Sequence, residues 1–194
     1  MNKVQKYPDD VWHARMFAVR AHGHQKYGTN RPYVVHLDEV DSILITYGYG
    51  SIENRQAAYL HDVLEDVVSL GVTDMREAGF SEHVVYIAEF CEDDAGPNRR
   101  TRKQNTYMRM RYEMSKHRGD DAHVIWDAVR VKLADRLGNL RASIRDNSSL
   151  LGMYIKEREA FRDALYQPGT ADRMWDEYDA LTGIELTAAP NRKK

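Results

Sequence analysis

Apolar residues recur at steps of three and four along almost the whole chain, and no run alternates apolar with polar between hairpin turns. That spacing lines one face of a helix and leaves no half-buried strand, so the expected fold class is all-α. Pro8, Asp9 and Asp10 form a helix entry, after which Val11, Ala14, Ala18 and Ala21 share a face as far as Gly23. Residues 24–35 read as a loop. Further helices are expected over about Leu37–Tyr47, Asn54–Ser69, Ser81–Glu92, Gln104–Lys116, His123–Ser143, Leu150–Tyr166 and Ala171–Leu181. The second of these is apolar on more than one face and is expected to be central. Gly96 and Pro97 break the pattern before a run of positive charge, which reads as a mobile basic loop.

With 194 residues, the chain matches a prior of about one domain, expected over residues 1–185 with a flexible tail at 186–194. Hydrophobic residues at 42% are enough for a core, so disorder is not the default. A net charge of −2 excludes a global polybasic field, hence no nucleic-acid polymer as partner. Cys91 is the only cysteine, which leaves no intrachain disulfide and no cysteine-based zinc cluster and favours a reducing compartment. No apolar stretch has the length of a secretory signal or of a membrane span, so a cytoplasmic location and no membrane partner are expected. Oligomeric state is left open.

The segment His61-Asp62-Val63-Leu64-Glu65-Asp66 sets four ionisable side chains in an otherwise apolar helix. Their spacings of three and four place them on adjacent rows of one helix, and burying them is costly without a partner. A polar, solvated helix face is one account. His36, just before an apolar run, and Asp135, one turn from Leu133 and Leu137, favour another. Two imidazoles and two carboxylates make a mixed nitrogen and oxygen set suited to Mn, Fe, Co, Ni or Zn rather than Ca. An ion held there would lower the pKa of a water and polarise a phosphoryl oxygen. Glu65 and Asp66 could then orient or deprotonate that water.

The ordered set AH...Q...G...PY..H, then LHDVLED, then VKLADRLGNLR, resembles the HD-domain hydrolases, specifically the small alarmone hydrolases related to the hydrolase half of RelA/SpoT proteins. The resemblance runs from about Ala18 to Arg145. It implies an all-α HD-domain bundle with a metal site in its helical core, holding one Mn²⁺ per chain. It implies removal of the 3′-pyrophosphate of guanosine tetra- or pentaphosphate, a guanosine polyphosphate being the expected partner. His36, His61, Asp62 and Asp135 fall on the ligand positions, Glu65 and Asp66 on the water-activating pair, and Asn139 on the nucleotide contact. Lys26 falls in a basic segment near the substrate.

Three positions depart from the family pattern. Tyr27 stands where an arginine usually helps to hold the nucleotide, Leu37 follows the first histidine in place of proline, and Gly138 replaces a larger residue before Asn139. Tyr27 is expected to bear on the choice of base, and Gly138 to open space beside the nucleotide. In the basic run Arg99, Arg100, Arg102 and Lys103, a solvated surface is the plain account; Arg102 and Lys103 are also expected to neutralise substrate phosphates. Arg136 is a weak phosphate candidate. His13, His22, His24, His83, His117 and His123 read as surface or capping residues, and Trp12, Trp126 and Trp175 as core or interface anchors. Three rivals stand beside the leading reading: an HD phosphohydrolase on an adenine alarmone, NADPH or a nucleoside monophosphate; a two-metal phosphodiesterase using the extra histidines; and a non-catalytic nucleotide sensor.

Overall fold

The computed structural model describes residues 9–116 and 122–183. Among these the chain forms ten helical segments and one short β pair: α1 (Asp9–His22), β1 (Lys26–Tyr27), β2 (Arg31–Pro32), α2 (Val34–Thr46), α3 (Ile52–Leu60), α4 (Val63–Asp66), α5 (Val72–Glu77), α6 (Glu82–Cys91), α7 (Arg99–Lys116), α8 (Ala122–Arg145), α9 (Leu150–Leu165) and α10 (Asp172–Thr182). The all-α expectation holds; the β pair is a turn of two residues per strand inside the expected loop. Pro8, residues 117–121 with His117 among them, and the C-terminal tail lie outside the described residues.

The central helix is α8, which packs against α2, α3, α6, α9 and α10. From Ala128 to Ser143 it is buried on almost every side, so the helix that carries Asp135 is the axis of the bundle. Its Leu133, Leu137 and Leu140 join Leu37, Val40 and Leu44 of α2 and Ala57 and Leu60 of α3 in one core. Phe161, Trp175 and Tyr178, aromatic members of the same core, lock α9 and α10 together. Trp175 is therefore a core anchor, while Trp12 is exposed.

Three segments correct the sequence reading. The helix expected over Asn54–Ser69 ends at Leu60 and resumes for a single turn at Val63. The reason is local: the His61 Nδ1 lies 2.9 Å from the Ala58 carbonyl, occupying an acceptor that the next helical amide would otherwise use. Residues Val72–Glu77 form a helix not anticipated from the pattern, its start fixed by Asp74, whose carboxylate accepts from the Gly71 amide at 2.7 Å. Finally, the basic run is no loop. Asn98 accepts from the Thr101 amide at 3.0 Å, and α7 begins at Arg99, five residues before the expected Gln104.

Candidate metal centre

Four side chains from three parts of the bundle meet at one point. His36 comes from the first turn of α2, His61 and Asp62 from the break between α3 and α4, and Asp135 from the middle of α8. One donor atom from each lies within 4.8 Å of the others, which among the described residues is true of no other group of three or more such residues. Nε2 of His36 is 3.4 Å from Asp62 Oδ2 and 3.3 Å from Asp135 Oδ1; Nε2 of His61 is 3.0 Å and 3.7 Å from the same two atoms. Donors bound to one ion by bonds of about 2.0–2.2 Å stand roughly 3–3.6 Å apart, so these separations fit a shared cation.

Two further observations support that fit. The His61 Nδ1 contact with the Ala58 carbonyl places the proton on Nδ1 and leaves Nε2, fully buried and without a hydrogen bond, as a lone-pair donor facing the carboxylates. Burial alone would push the His36 and His61 imidazoles down, yet Asp135 and Asp62 raise both above their ordinary values, that of His61 strongly. The same pairing outweighs burial at Asp62 and Asp135 and holds both carboxyls well below the usual range. Without a metal, the group retains protons where a divalent ion would supply the charge. The residues could therefore hold a divalent metal.

Around the four donors runs a shell of oriented side chains. Tyr33 donates to Asp62 Oδ2 at 2.7 Å, and burial beside Asp62 keeps its phenol protonated by raising it far above the ordinary value. Lys132 is fully buried, donates to the Cys91 carbonyl at 2.6 Å and sits 3.7 Å from Asp135 Oδ2. Asn139 donates to Asp135 Oδ1 at 2.5 Å and accepts from the Tyr27 hydroxyl at 3.0 Å. Gln25 donates to Asp66 Oδ2 at 2.7 Å, with its own carbonyl 2.8 Å from Nδ1 of His22.

Asp62 and Asp135 line a polar cavity of about 180 Å³, whose wall also includes Glu65, Asp66, Arg99, Lys103, Lys132, Arg136, Asn139 and Tyr154. Burial, then the charge of Asp93, raises the Glu65 carboxyl above its ordinary value. The cavity wall thus combines a carboxylate pair suited to acid–base work with fixed cations suited to binding an anion. Asn139 also lines a neighbouring cavity of about 330 Å³ with Tyr27, Ser143, Asp146 and Leu150, and Arg99 and Lys103 also line a groove of about 850 Å³ between α7 and α9.

Most of the residues singled out in the sequence arrive here. Glu65, Asp66, Lys103 and Asn139 line the polar cavity, and Tyr27 borders the next one. Lys26 does not: in an extended pair successive side chains point opposite ways, so Tyr27 turns inward and Lys26 is exposed. Arg102 also misses both cavities, packed against Gly96, where an added Cβ would come within 3.1 Å of its Cγ. Arg99, one helical turn before Lys103, takes the place expected of it. Gly138 faces the His36 ring and Val40, so the volume it leaves is filled by α2 rather than opened to a ligand.

Arg136, a weak candidate in the sequence, is buried between Tyr154 and Phe161 and paired with Glu157 at 3.0 Å. His22 is no surface residue; it is buried and stacked on Tyr33 at 4.3 Å. His83 and His123 lie edge to face beside Asp127 and do not join the metal group, which removes the footing of a two-metal site among the described residues. Lys132, Tyr33, Gln25 and His22 are the contributors that sequence reasoning did not assign; Lys132, a charged residue in an apolar stripe next to Asp135, was the available signal.

Comparison with known proteins bears on the family and the fold. No helix among the described residues is long and apolar enough to cross a membrane. No curated protein sequence matches the chain significantly. Among solved structures, one described as a metazoan ortholog of SpoT that hydrolyses ppGpp and plays a role in starvation responses superposes with a TM-score of 0.73 at 23% identity, over 93% of this chain and 99% of that one. A profile of the HD domain matches residues 14–150. With the profile spanning well over half of its length and the histidine–aspartate donors converging as described, the chain belongs to the HD-domain family.

Proposed function

We propose that the chain is a Mn²⁺-dependent 3′-pyrophosphohydrolase that converts guanosine tetra- or pentaphosphate to GDP or GTP and pyrophosphate. The observation that carries the reading is the convergence of the four donors, two of which, Asp62 and Asp135, line a cavity shared with the carboxylates of Glu65 and Asp66 and the cations of Arg99, Lys103 and Lys132. His36, His61, Asp62 and Asp135 hold one divalent ion, which supplies Lewis acidity toward a phosphoryl oxygen and toward a water. Asp66, fixed by Gln25, orients that water, and Glu65 exchanges its proton. The water oxygen bonds to phosphorus while the bond from phosphorus to the 3′ oxygen breaks, and the proton taken from the water ends on that 3′ oxygen. Lys103, held by Asp93 at 2.7 Å, and Arg99 neutralise the pyrophosphate. The nucleoside lies toward Asn139 and Tyr27.

The likeness to the ppGpp-hydrolysing SpoT ortholog supports the substrate class. Another nucleotide is the second reading, favoured by Tyr27, whose hydroxyl is already bound to Asn139. A panel of guanosine tetraphosphate, its adenine counterpart, NADPH and GMP, scored for pyrophosphate against orthophosphate, separates the two. Pyrophosphate release fastest from the guanosine compound supports the proposal; orthophosphate as the sole product defeats it. The cytoplasm, where such nucleotides are found, is the proposed location.

A further inference from the structure

The two imidazoles of the metal group are held differently. The His61 ring is fixed from behind by the Ala58 carbonyl at 2.9 Å. His36 has no such tether: its Nδ1 is buried without a hydrogen bond. Metal-ligating histidines almost always use their second nitrogen to fix the ring, so something else must set the orientation of His36. The flat face of Tyr27 is stacked on it at a centroid distance of 4.6 Å and 29° between planes, while Tyr33 meets it only edge-on at 5.7 Å.

Tyr27 reaches a second donor as well. Its hydroxyl donates to Asn139 Oδ1 at 3.0 Å, and Asn139 Nδ2 donates to Asp135 Oδ1 at 2.5 Å. A carboxamide can flip, and the flipped form would set its oxygen against the Asp135 carboxylate. The Asp135 carboxylate, which can only accept, keeps Nδ2 turned toward it, and the Tyr27 hydroxyl holds the other end of the amide by donating to Oδ1, so that Asn139 is anchored where it supports Asp135. Tyr27 is itself held. It lies in the β1–β2 pair, with Arg31 5.7 Å from its ring centroid and joined to Asp146 at the end of α8 at 2.5 Å.

We propose that Tyr27 is a positioning residue of the metal centre, setting His36 by stacking and Asp135 through Asn139, so that the hairpin from Lys26 to Pro32 is part of the metal site's framework. The assignment rests on reading the four-residue group as a metal centre. It differs from a role in contacting substrate alone, because it predicts an effect with no substrate present.

The test is a Mn²⁺ titration of the metal-stripped full chain, following free Mn²⁺ by electron paramagnetic resonance. Loss of a residue that orients a ligand typically weakens metal affinity 10- to 100-fold. Tyr27→Phe, which keeps the stack and removes the hydroxyl, is expected to weaken Mn²⁺ about tenfold. Tyr27→Leu, which removes both, is expected to weaken it further. Tyr27→Phe combined with Asn139→Ala is expected to bind within about twofold of Asn139→Ala alone, since both act through one path. Metal-free Tyr27→Phe is expected to melt within about 2 °C of the parent, which separates positioning from loss of fold. Parental affinity in Tyr27→Phe and Tyr27→Leu, or fully additive effects in the double variant, overturns the assignment while leaving the metal centre standing. A parent chain that binds no Mn²⁺ defeats the metal-centre reading and this assignment with it.

Discussion

Gln25 donates its side-chain amide to Oδ2 of Asp66 at 2.7 Å while its own carbonyl is met by Nδ1 of His22 at 2.8 Å. The direction of the first bond settles the second: an amide that gives to a carboxylate turns its oxygen to His22, so the imidazole donates from Nδ1. His22 also stacks on Tyr33, the donor to Asp62. One buried histidine thus steadies the supports of both Asp66, the carboxylate proposed to orient water, and Asp62, a member of the candidate metal group.

Replacing Gln25 with Ala removes a hydrogen bond to a charged group, of the order of 1.5–3 kcal/mol. The expected outcome is a fall in kcat of roughly 10- to 100-fold with Mn²⁺ affinity within about twofold of the parent. Steady-state kinetics beside a metal titration checks this; an unchanged kcat removes Asp66 from the proposed role.

Asp135→Asn and Glu65→Gln are expected to part company. The first removes a donor from the group, and metal and turnover are lost together. The second leaves all four donors in place, retains the metal and lowers turnover by about 10²-fold, the scale of a lost acid–base group. Metal analysis of each purified variant decides the matter, and Glu65→Gln with parental turnover is the contrary result.

Gly138 lies in the interior of α8, where an added Cβ would meet His36 and Val40 at 3.7 Å, an ordinary contact. Gly138→Ala is therefore expected to fold normally and gain up to about 1 kcal/mol from helix propensity, with metal binding retained. Gly138→His would press a ring against His36, since α2 here fills the volume a larger residue needs, and weaken metal binding. Thermal melts and Mn²⁺ titrations of both variants test the placement; a Gly138→His variant with parental affinity contradicts it.

Glu157 supports Arg99 and the buried Arg136 together, at 2.7 Å and 3.0 Å. Burial would raise its carboxyl, but hydrogen bonding from Arg99 and the charge of Arg136 outweigh it and hold the group below its ordinary value. A carboxyl depressed on folding stabilises the fold above its unfolded pKa of about 4.3, and that contribution is lost as pH falls through the folded value. Glu157→Gln is expected to cost about 3 kcal/mol near neutrality by leaving Arg136 without its counter-charge, with a gap to the parent that narrows below about pH 4. Melting curves from pH 7 to pH 3 measure it; parallel profiles contradict the assignment.

How much of this was legible in the sequence follows from what each feature depends on. Helical spacing of apolar residues declared α2, α6, α8 and α9, because burial of one face is a property of the segment itself. The convergence of the candidate metal group was legible because His61, Asp62 and Asp135 are ionisable groups among apolar neighbours, which only a partner makes affordable. The break at His61 was not legible, since it depends on an imidazole competing for the Ala58 carbonyl. Nor was the start of α7: Gly96, Pro97 and four cations look like a loop until the Asn98 cap is in place. Lys26, Arg102 and Gly138 fall outside the cavities because each lies one residue from a lining residue, Tyr27, Lys103 or Asn139, and a single step in an extended pair or a helix turns the side chain elsewhere. The contributions of His22, Gln25 and Tyr33 depend on contacts between segments, which no local spacing encodes.

The central claim is tested most directly by incubating the metal-stripped full chain with guanosine tetraphosphate, with and without Mn²⁺, and separating the products by ion exchange. The account predicts GDP and pyrophosphate in equal amounts, formed only when Mn²⁺ is present. Orthophosphate as the released product, equal rates with and without metal, or no turnover by the Mn²⁺-loaded chain would contradict it.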